Sequence, residues 1–183
     1  MHADIVKDWF GTQFKELHPL LQELHLTGGQ LSGDVHISYG TGVAGLIGRR
    51  LAKKMRFPEA GTHQLKINIS HAVNGLSWGR SFDSQAPVIS LFKPVGKMGS
   101  GYWVESTGPL EMKLTVDVIN GGWFWRCLSV SFLGVPIPKW LVPHTNAYKV
   151  IENDLYRFHV GFSLPLIGSL VSYQGLLGLE TTQ

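Results

Sequence analysis

The sequence has one cysteine, no long apolar run and no histidine or cysteine pairs at metal-binding spacing. The lone Cys127 excludes an internal disulfide framework and favours a reducing compartment, so we expect a cytoplasmic protein. The longest charge-free stretch, 161–179, contains a proline and four glycines, which is unlike a continuous transmembrane helix of about 20 residues. The start, MHADIVKDWF, has no basic region followed by an apolar run, so we expect no signal peptide. We also expect neither a metal nor a cofactor.

Charge is low overall and uneven along the chain. The formal net charge is +3, from 16 basic and 13 acidic residues. Five of the cations fall within eight residues: Arg49, Arg50, Lys53, Lys54 and Arg56. A nucleic-acid-binding protein spreads its basic residues over a face or stripe, so we expect no nucleic-acid partner. The cluster is predicted to be either a solvated helix face or a contact with anionic lipid at the inner membrane face.

Length and periodicity predict a single domain over residues 1–183, with a helical N-terminal lid at 1–29 and a β-rich body at 30–183. Two helical pieces are expected at 4–14 and 19–25, because apolar residues recur there at helical spacing and Pro19 suits a first helical turn. Alternating apolar and polar residues predict a strand at 31–39, and a helix follows at 43–55. The final residues are expected to form a strand rather than a helix.

The longest regular pattern runs from Leu110 to Pro143. Apolar residues alternate with polar ones from Leu110 to Val118, and Asn120-Gly121-Gly122 can reverse the chain tightly. The return strand is predicted to place one apolar set on a single face: Phe124, Leu128, Val130 and Phe132. Similar hairpins before and after it give nine to ten strands. We therefore predict a mainly β fold, an antiparallel barrel or strongly curved sheet, with N-terminal helices and one helix between the first two strands.

A second hairpin carries the candidate site. Asn74-Gly75 is the strongest short turn signal, and a two-residue turn there would set His71 opposite Trp78 and Ile69 opposite Arg80. Side chains directly opposite one another share a face, so His71 and Arg80 would lie in an otherwise apolar row. A buried guanidinium should be paired, reach water inside a cavity or meet the anionic end of a ligand, and Glu105 is the best partner in the sequence because it shares a strand face with Trp103. The alternative is that this hairpin lies at a sheet edge and Arg80 turns outward.

Two catalytic-looking motifs have plainer explanations. Residues 40–45 spell GxGxxG between a strand and a helix, the context of a dinucleotide site. The alternating strand before it and the hairpins after it are unlike a parallel nucleotide-binding sheet, so close helix packing by Gly45 and Gly48 is the favoured interpretation. Residues 75–79 match GxSxG, but a nucleophile elbow needs a strand-to-helix turn and this serine opens a hairpin strand.

The order of several motifs resembles the bacterial family of domains of unknown function numbered 4166. The motifs are Trp78-Gly79-Arg80-Ser81-Phe82, Val104-Glu105, Gly108-Pro109-Leu110, Leu133-Gly134-Val135-Pro136-Ile137-Pro138, Leu141-Val142-Pro143, Phe162-Ser163-Leu164-Pro165-Leu166-Ile167-Gly168 and Leu170-Val171-Ser172-Tyr173-Gln174-Gly175. Members of that family often follow a domain of the saccharopine-dehydrogenase or short-chain-dehydrogenase type. Residues 1–183 contain no such domain, so the resemblance implies a separate oxidoreductase partner and brings no established activity.

Three functions remain open from the sequence. The first is a module that binds an apolar small molecule or lipid inside the barrel, with no catalysis of its own. The second is an accessory domain that docks on an oxidoreductase or a membrane surface. The third is an isomerase, cyclase or hydrolase that uses His71 or Glu105 for proton transfer on a hydrophobic substrate. The candidate ligand-binding residues are His71, Trp78, Arg80, Glu105 and Arg126.

Overall fold

Alternating apolar and polar residues build eleven strands within residues 4–180, the part of the chain that the computed structural model describes. The strands are β1 Gly29–Tyr39, β2 Gly61–Ala72, β3 Gly75–Phe82, β4 Val88–Val95, β5 Tyr102–Thr107, β6 Leu110–Ile119, β7 Gly122–Phe132, β8 Val135–Pro136, β9 His144–Glu152, β10 Leu155–Leu164 and β11 Gly168–Leu179. The α-helices are α1 Ile5–Phe10, α2 Pro19–Thr27 and α3 Gly42–Lys54, and 3-10 turns cover Gly11–Glu16 and Lys139–Leu141.

The strands close on themselves. Each strand from β1 to β7 pairs with the next, β7 also pairs with β9, and the ladder returns through β10 and β11 to β1. All these pairings are antiparallel, and β8 pairs only with the end of β7. The result is a closed ten-stranded barrel with one short extra strand. The predicted fold class is confirmed, including the N-terminal helices and the helix between the first two strands.

The N-terminal helices fill one end of the barrel, which we call the plug end. Trp9 packs against Trp103 of β5 with ring centroids 5.5 Å apart, and Phe10 packs against Trp123 of β7 at 4.7 Å. The amide of Met98, in the β4–β5 loop, donates to the carbonyl of Trp9 at 2.8 Å. Because these side chains enter the core, the segment predicted as a lid contributes to the packed interior itself.

Helix α3 lies on the outside of the barrel near its other end, which we call the far end. A Cβ atom on Gly48 would lie 2.0 Å from the carbonyl oxygen of Leu170 in β11, and one on Gly45 would lie 2.2 Å from the carbonyl oxygen of Gly40. Only glycine permits such approaches. Gly48 therefore permits the close packing of α3 on β11 that the plainer explanation predicted, and Gly40 of the motif lies equally close to the carbonyl oxygen of Ser169 in β11. Gly45 packs instead against the connection between β1 and α3.

The predicted register of the β2–β3 hairpin is wrong, although its inward face is correct. His71 pairs with Leu76, Ile69 with Trp78 and Ile67 with Arg80, so the turn residues are Val73 and Asn74. Gly75 is not one of the turn residues but the first residue of β3. A Cβ atom there would lie 2.0 Å from the carbonyl oxygen of Phe92 in β4. Gly75 therefore permits close approach of β4, and the two residues before it form the turn.

The predicted inward face of β7 is also wrong at Phe124 and at Leu128, which is 43% exposed. A β-bulge between Lys113 and Leu114 shifts the β6–β7 register, so the inward face changes phase along the strand. Trp123 is buried with 1% exposure, whereas Phe124 stacks on the outer face against Tyr148 at 5.4 Å. This shift brings two tryptophans, Trp123 and Trp125, into the barrel interior.

Candidate ligand site inside the barrel

Arg80 is held in the far half of the interior by a group we call the arginine network: Arg80, Ser90, Glu105, Thr107 and Tyr173. Its Nη1 donates to the Tyr173 hydroxyl at 3.1 Å, and its Nη2 donates to the Ser90 hydroxyl. Nη2 also lies 3.7 Å from Oε1 of Glu105, and both side chains are mostly buried. The expected partnership of Arg80 with Glu105 is confirmed.

The carboxyl of Glu105 also receives support from hydroxyl groups. The Thr107 hydroxyl donates to Glu105 Oε1 at 3.4 Å, and the Ser90 and Thr107 hydroxyl oxygens are 2.6 Å apart. Burial raises the pKa of the Glu105 carboxyl, and Arg80 with the hydroxyl groups offsets part of that rise. The arginine network is thus satisfied by its own members.

Lys149 occupies the half of the interior nearer the plug end, in surroundings that the sequence did not suggest. It lies on β9 opposite Trp123 of β7 and is only 8% exposed. Its Nζ is 4.2 Å from the ring centroids of Trp78 and Trp123, and 5.9 Å from that of Trp125. Such contacts with ring faces favour a cation. We call Lys149, these three tryptophans and His25 the lysine cage.

His25 closes the lysine cage from α2. It is fully buried, its ring stacks on Trp123 with centroids 4.5 Å apart, and its Nε2 lies 2.7 Å from Nζ of Lys149. The other ring nitrogen, Nδ1, lies 2.7 Å from the carbonyl oxygen of Leu21. An Nδ1–H that donates to this carbonyl leaves Nε2 as an acceptor for the lysine.

The pKa values of the two titratable side chains in the lysine cage, Lys149 and His25, are both strongly lowered. Burial lowers the pKa of Lys149 well below its ordinary value. Burial and the positive charge of Lys149 lower the pKa of His25 well below its ordinary value. Among residues 4–180, no carboxylate lies within ion-pair distance of Lys149. This buried amine therefore differs from Arg80 in having no anionic partner.

Several buried polar atoms near Lys149 also lack hydrogen-bond partners within residues 4–180. They are Nε1 of Trp78, Nε1 of Trp123 and Nε2 of His71, and Nε1 of Trp103 shares this property. An indole nitrogen can only donate, so each of these tryptophan N–H groups would pair with an acceptor. Buried polar atoms are nearly always paired with protein or water, which makes this concentration unusual.

The structure separates the other predicted site residues. Trp78 and His71 lie near the plug end, while Arg80 and Glu105 form the arginine network. Arg126 is exposed on the outer face, where it donates to both carboxylate oxygens of Asp117 at 3.1 Å, and it lies apart from the interior groups.

The cations of α3 are also outside the barrel. Arg49, Arg50, Lys53 and Arg56 are exposed, and Arg49 lies 5.2 Å from the ring centroid of Tyr39. The side chain of Lys54 lies outside the described part of the chain.

Two cavities lie on the outer surface of the barrel. One, of about 240 Å³, lies on the outer face of β1–β4, and the other, of about 550 Å³, lies beside α3.

Sequence reasoning missed Lys149, His25, Trp123 and Trp125. A signal existed for the first, because Ala147, Lys149 and Ile151 share one phase of β9 and two of the three are apolar. Another existed for His25, which follows Leu21 and Leu24 at helical spacing on the buried side of α2. The tryptophans were missed because the bulge that turns them inward leaves no mark in the pattern.

Within residues 4–180, no helix has both the length and the apolar character needed to cross a bilayer. A family model described as Domain of unknown function (DUF4166) matches residues 17–177. No curated protein and no solved structure matches the chain.

Proposed function

This chain belongs to the DUF4166 family, whose description supplies no activity, and we propose from the geometry that its barrel binds an apolar small molecule or lipid with an acidic group. The observation that carries the proposal is the lysine cage, a buried amine with no carboxylate partner among the described residues.

An anionic group is the complement that this site lacks. A buried charge without a counter-charge is costly, and a carboxylate beside Lys149 would restore the ammonium form. The free indole N–H groups of Trp78 and Trp123 are also donors, which suit an oxygen acceptor. The rest of the interior is a packed cluster of aromatic and aliphatic side chains, which an apolar tail would contact once the plug helices shift.

Entry of the ligand requires movement of α2. His25 stacks on Trp123 and contacts Lys149, so the helix has to shift before a ligand group reaches the amine. Helices α1 and α2 are packed against the barrel and do not belong to its ladder of paired strands, so displacing them leaves the barrel hydrogen bonds intact.

The test compares dodecanoate with dodecanol, which share a chain and differ in the acidic group. Native mass spectrometry of the purified protein first looks for a retained ligand, and tryptophan fluorescence then follows each titration. We expect dodecanoate to bind more tightly than dodecanol, with a preference that Lys149→Met removes. The exposed lysine variant Lys113→Met is the matched control and keeps the preference.

Protonation gives a second readout. Binding of the acid takes up a proton at Lys149, so the affinity for dodecanoate falls as the pH rises, whereas that for dodecanol does not. Absence of both retained ligand and saturable binding would overturn the proposal. Equal affinity for dodecanoate and dodecanol would contradict the proposal that Lys149 binds the acidic group.

The two other functions foreseen from the sequence stay predictions. Co-purification with a dehydrogenase would support a role as an accessory domain. Turnover of a hydrophobic substrate that is lost in His71→Gln or Glu105→Gln would support an enzyme.

A further inference from the structure

The far end of the barrel gathers exposed apolar residues from separate parts of the chain. Strands β1 and β10 both run toward this end, so α3 and the β10–β11 turn follow there. Strand β7 also ends there and β9 begins there, because β7 and β9 are antiparallel. The β7–β8 turn and the 3-10 turn Lys139–Leu141 therefore join the same end. We call these exposed apolar residues the rim: Val43, Leu46, Ile47, Leu133, Trp140, Leu141, Leu166 and Ile167.

The rim side chains are unusually free of protein contact. Leu166 is fully exposed, Trp140 is 73% exposed and Leu133 is 72% exposed. Scattered exposed leucines are ordinary, but a concentration of them on one end of a domain marks an interaction surface.

Cations stand next to the apolar residues on α3. Arg50 and Lys53 line the cavity of about 550 Å³ together with Ile47 and Leu51. Among residues 4–180, no carboxylate forms an ion pair with either cation. Two exposed acids near α3 are Glu59, which follows the helix in the chain, and Asp83 of the β3–β4 loop, which is paired with His63 of β2.

Apolar side chains, an exposed tryptophan and unpaired cations together fit one kind of partner. An interfacial helix places leucine and tryptophan between lipid chains while lysine and arginine contact anionic headgroups. A second copy of this chain fits less well, because a symmetric contact through α3 would bring two positive faces together.

We infer that the far end docks on a membrane surface that contains anionic lipid, with the rim inserted among the lipids and α3 against the headgroups. This inference does not depend on ligand binding in the lysine cage. It gives the exposed leucines and Trp140 of the far end an apolar partner.

The test is flotation with vesicles of phosphatidylcholine alone and of phosphatidylcholine mixed with phosphatidylserine, at low salt. We expect the protein to float with the mixed vesicles and to partition at least tenfold less onto the neutral ones. Each cation removed lowers the partition coefficient about fivefold, so Arg50→Gln/Lys53→Gln lowers it about 25-fold. Leu46→Ser/Leu166→Ser lowers it on both kinds of vesicle.

Matched controls come from the plug end. Val73→Ser removes an exposed apolar side chain and Lys97→Gln removes an exposed cation there, and both keep full binding. Equal loss in these controls, or no flotation with the mixed vesicles, would overturn the inference. A dimer in light scattering that Leu166→Ser converts to a monomer would also overturn it, by assigning the rim to a second copy.

Discussion

Two buried cations, Arg80 and Lys149, lie in the same barrel and differ in what surrounds them. Arg80 has the carboxylate of Glu105 3.7 Å from Nη2, and it donates to the Ser90 hydroxyl from Nη2 and to the Tyr173 hydroxyl from Nη1. Lys149 has ring faces and a histidine, with no carboxylate partner among residues 4–180. The first cation has an internal counter-charge, whereas the second has only neutral neighbours among the described residues.

Strand pairing explains the difference. Glu105 lies on β5, two strands from Arg80 on β3, and Ser90 on the intervening β4 connects them. Lys149 lies on β9, where its cross-strand neighbour is Trp123. The neighbouring elements supply aromatic rings to Lys149 and hydroxyl groups to Arg80. The polar groups without complete partners therefore lie in the plug half of the interior, around Lys149.

The largest expected change in the free energy of unfolding follows from removing Arg80 from its pair with Glu105. Arg80→Met leaves the Glu105 carboxyl buried without its cation, so we expect the free energy of unfolding to fall by about 3–5 kcal/mol. Urea denaturation measures this loss. In Arg80→Met/Glu105→Gln the cost is partly recovered, and the coupling between the two sites is about 1–3 kcal/mol. Strictly additive effects would mean that the network does not act as a unit.

The next effect is the alkaline pH dependence that Lys149 introduces. Because the pKa of Lys149 is lowered on folding, the unfolded chain binds more protons between the folded pKa and the ordinary value near 10.4. Stability should therefore rise with pH across this window, by at most about 1.4 kcal/mol per pH unit. Unfolding at a series of pH values checks this.

Two variants isolate the contribution of Lys149 to that slope. Lys149→Met should remove it, because no other lysine whose side chain the structure describes is buried. Lys113→Met, at an exposed lysine of β6, should keep it. A slope that survives in Lys149→Met would mean that the lysine cage does not titrate as its burial implies.

Glu105 should contribute a smaller pH dependence of stability, opposite in sign to that of Lys149. Its pKa is raised on folding, so the folded chain binds more protons between the ordinary value near 4.3 and the folded pKa. Stability should fall as the pH rises through this mildly acidic window. The difference between wild type and Glu105→Gln, measured by urea denaturation at each pH, should change in that direction. We expect about 1 kcal/mol over the window, since Arg80 offsets part of the shift. A flat difference would show that Arg80 compensates fully.

The Arg80 half of the interior could be predicted from the sequence because it depends on period-2 alternation alone. A shift of the β2–β3 register by two residues on one strand changed the partners and left Arg80 facing inward. The need for a partner followed from the cost of burying an unpaired guanidinium, and the shared strand face of Trp103 and Glu105 with the family resemblance pointed to Glu105. The hydroxyl groups of Ser90, Thr107 and Tyr173 were not foreseen, because no local pattern marks them.

The lysine cage depends on two structural features that the local sequence pattern does not reveal. A bulge in the β6–β7 ladder turns Trp123 and Trp125 inward, and insertion of α2 brings His25 against Lys149 across 124 residues of sequence. Both are tertiary outcomes, so they appear only when the barrel closes around its plug.

The smallest effect concerns an ion pair that looks strong by geometry alone. Arg126 donates two hydrogen bonds to Asp117, each at 3.1 Å, yet its side chain is 60% exposed. Exposed pairs contribute little, because water screens the charges and the long side chain loses rotamer freedom. We therefore expect Arg126→Met to lower the free energy of unfolding by less than about 1 kcal/mol, although it removes better hydrogen-bond geometry than Arg80 has with Glu105. Asp117→Asn should act similarly, with weak coupling in the double variant. If Arg126→Met costs as much as Arg80→Met, burial does not decide the strength of these pairs, and the contrast between the two interior cations loses its basis.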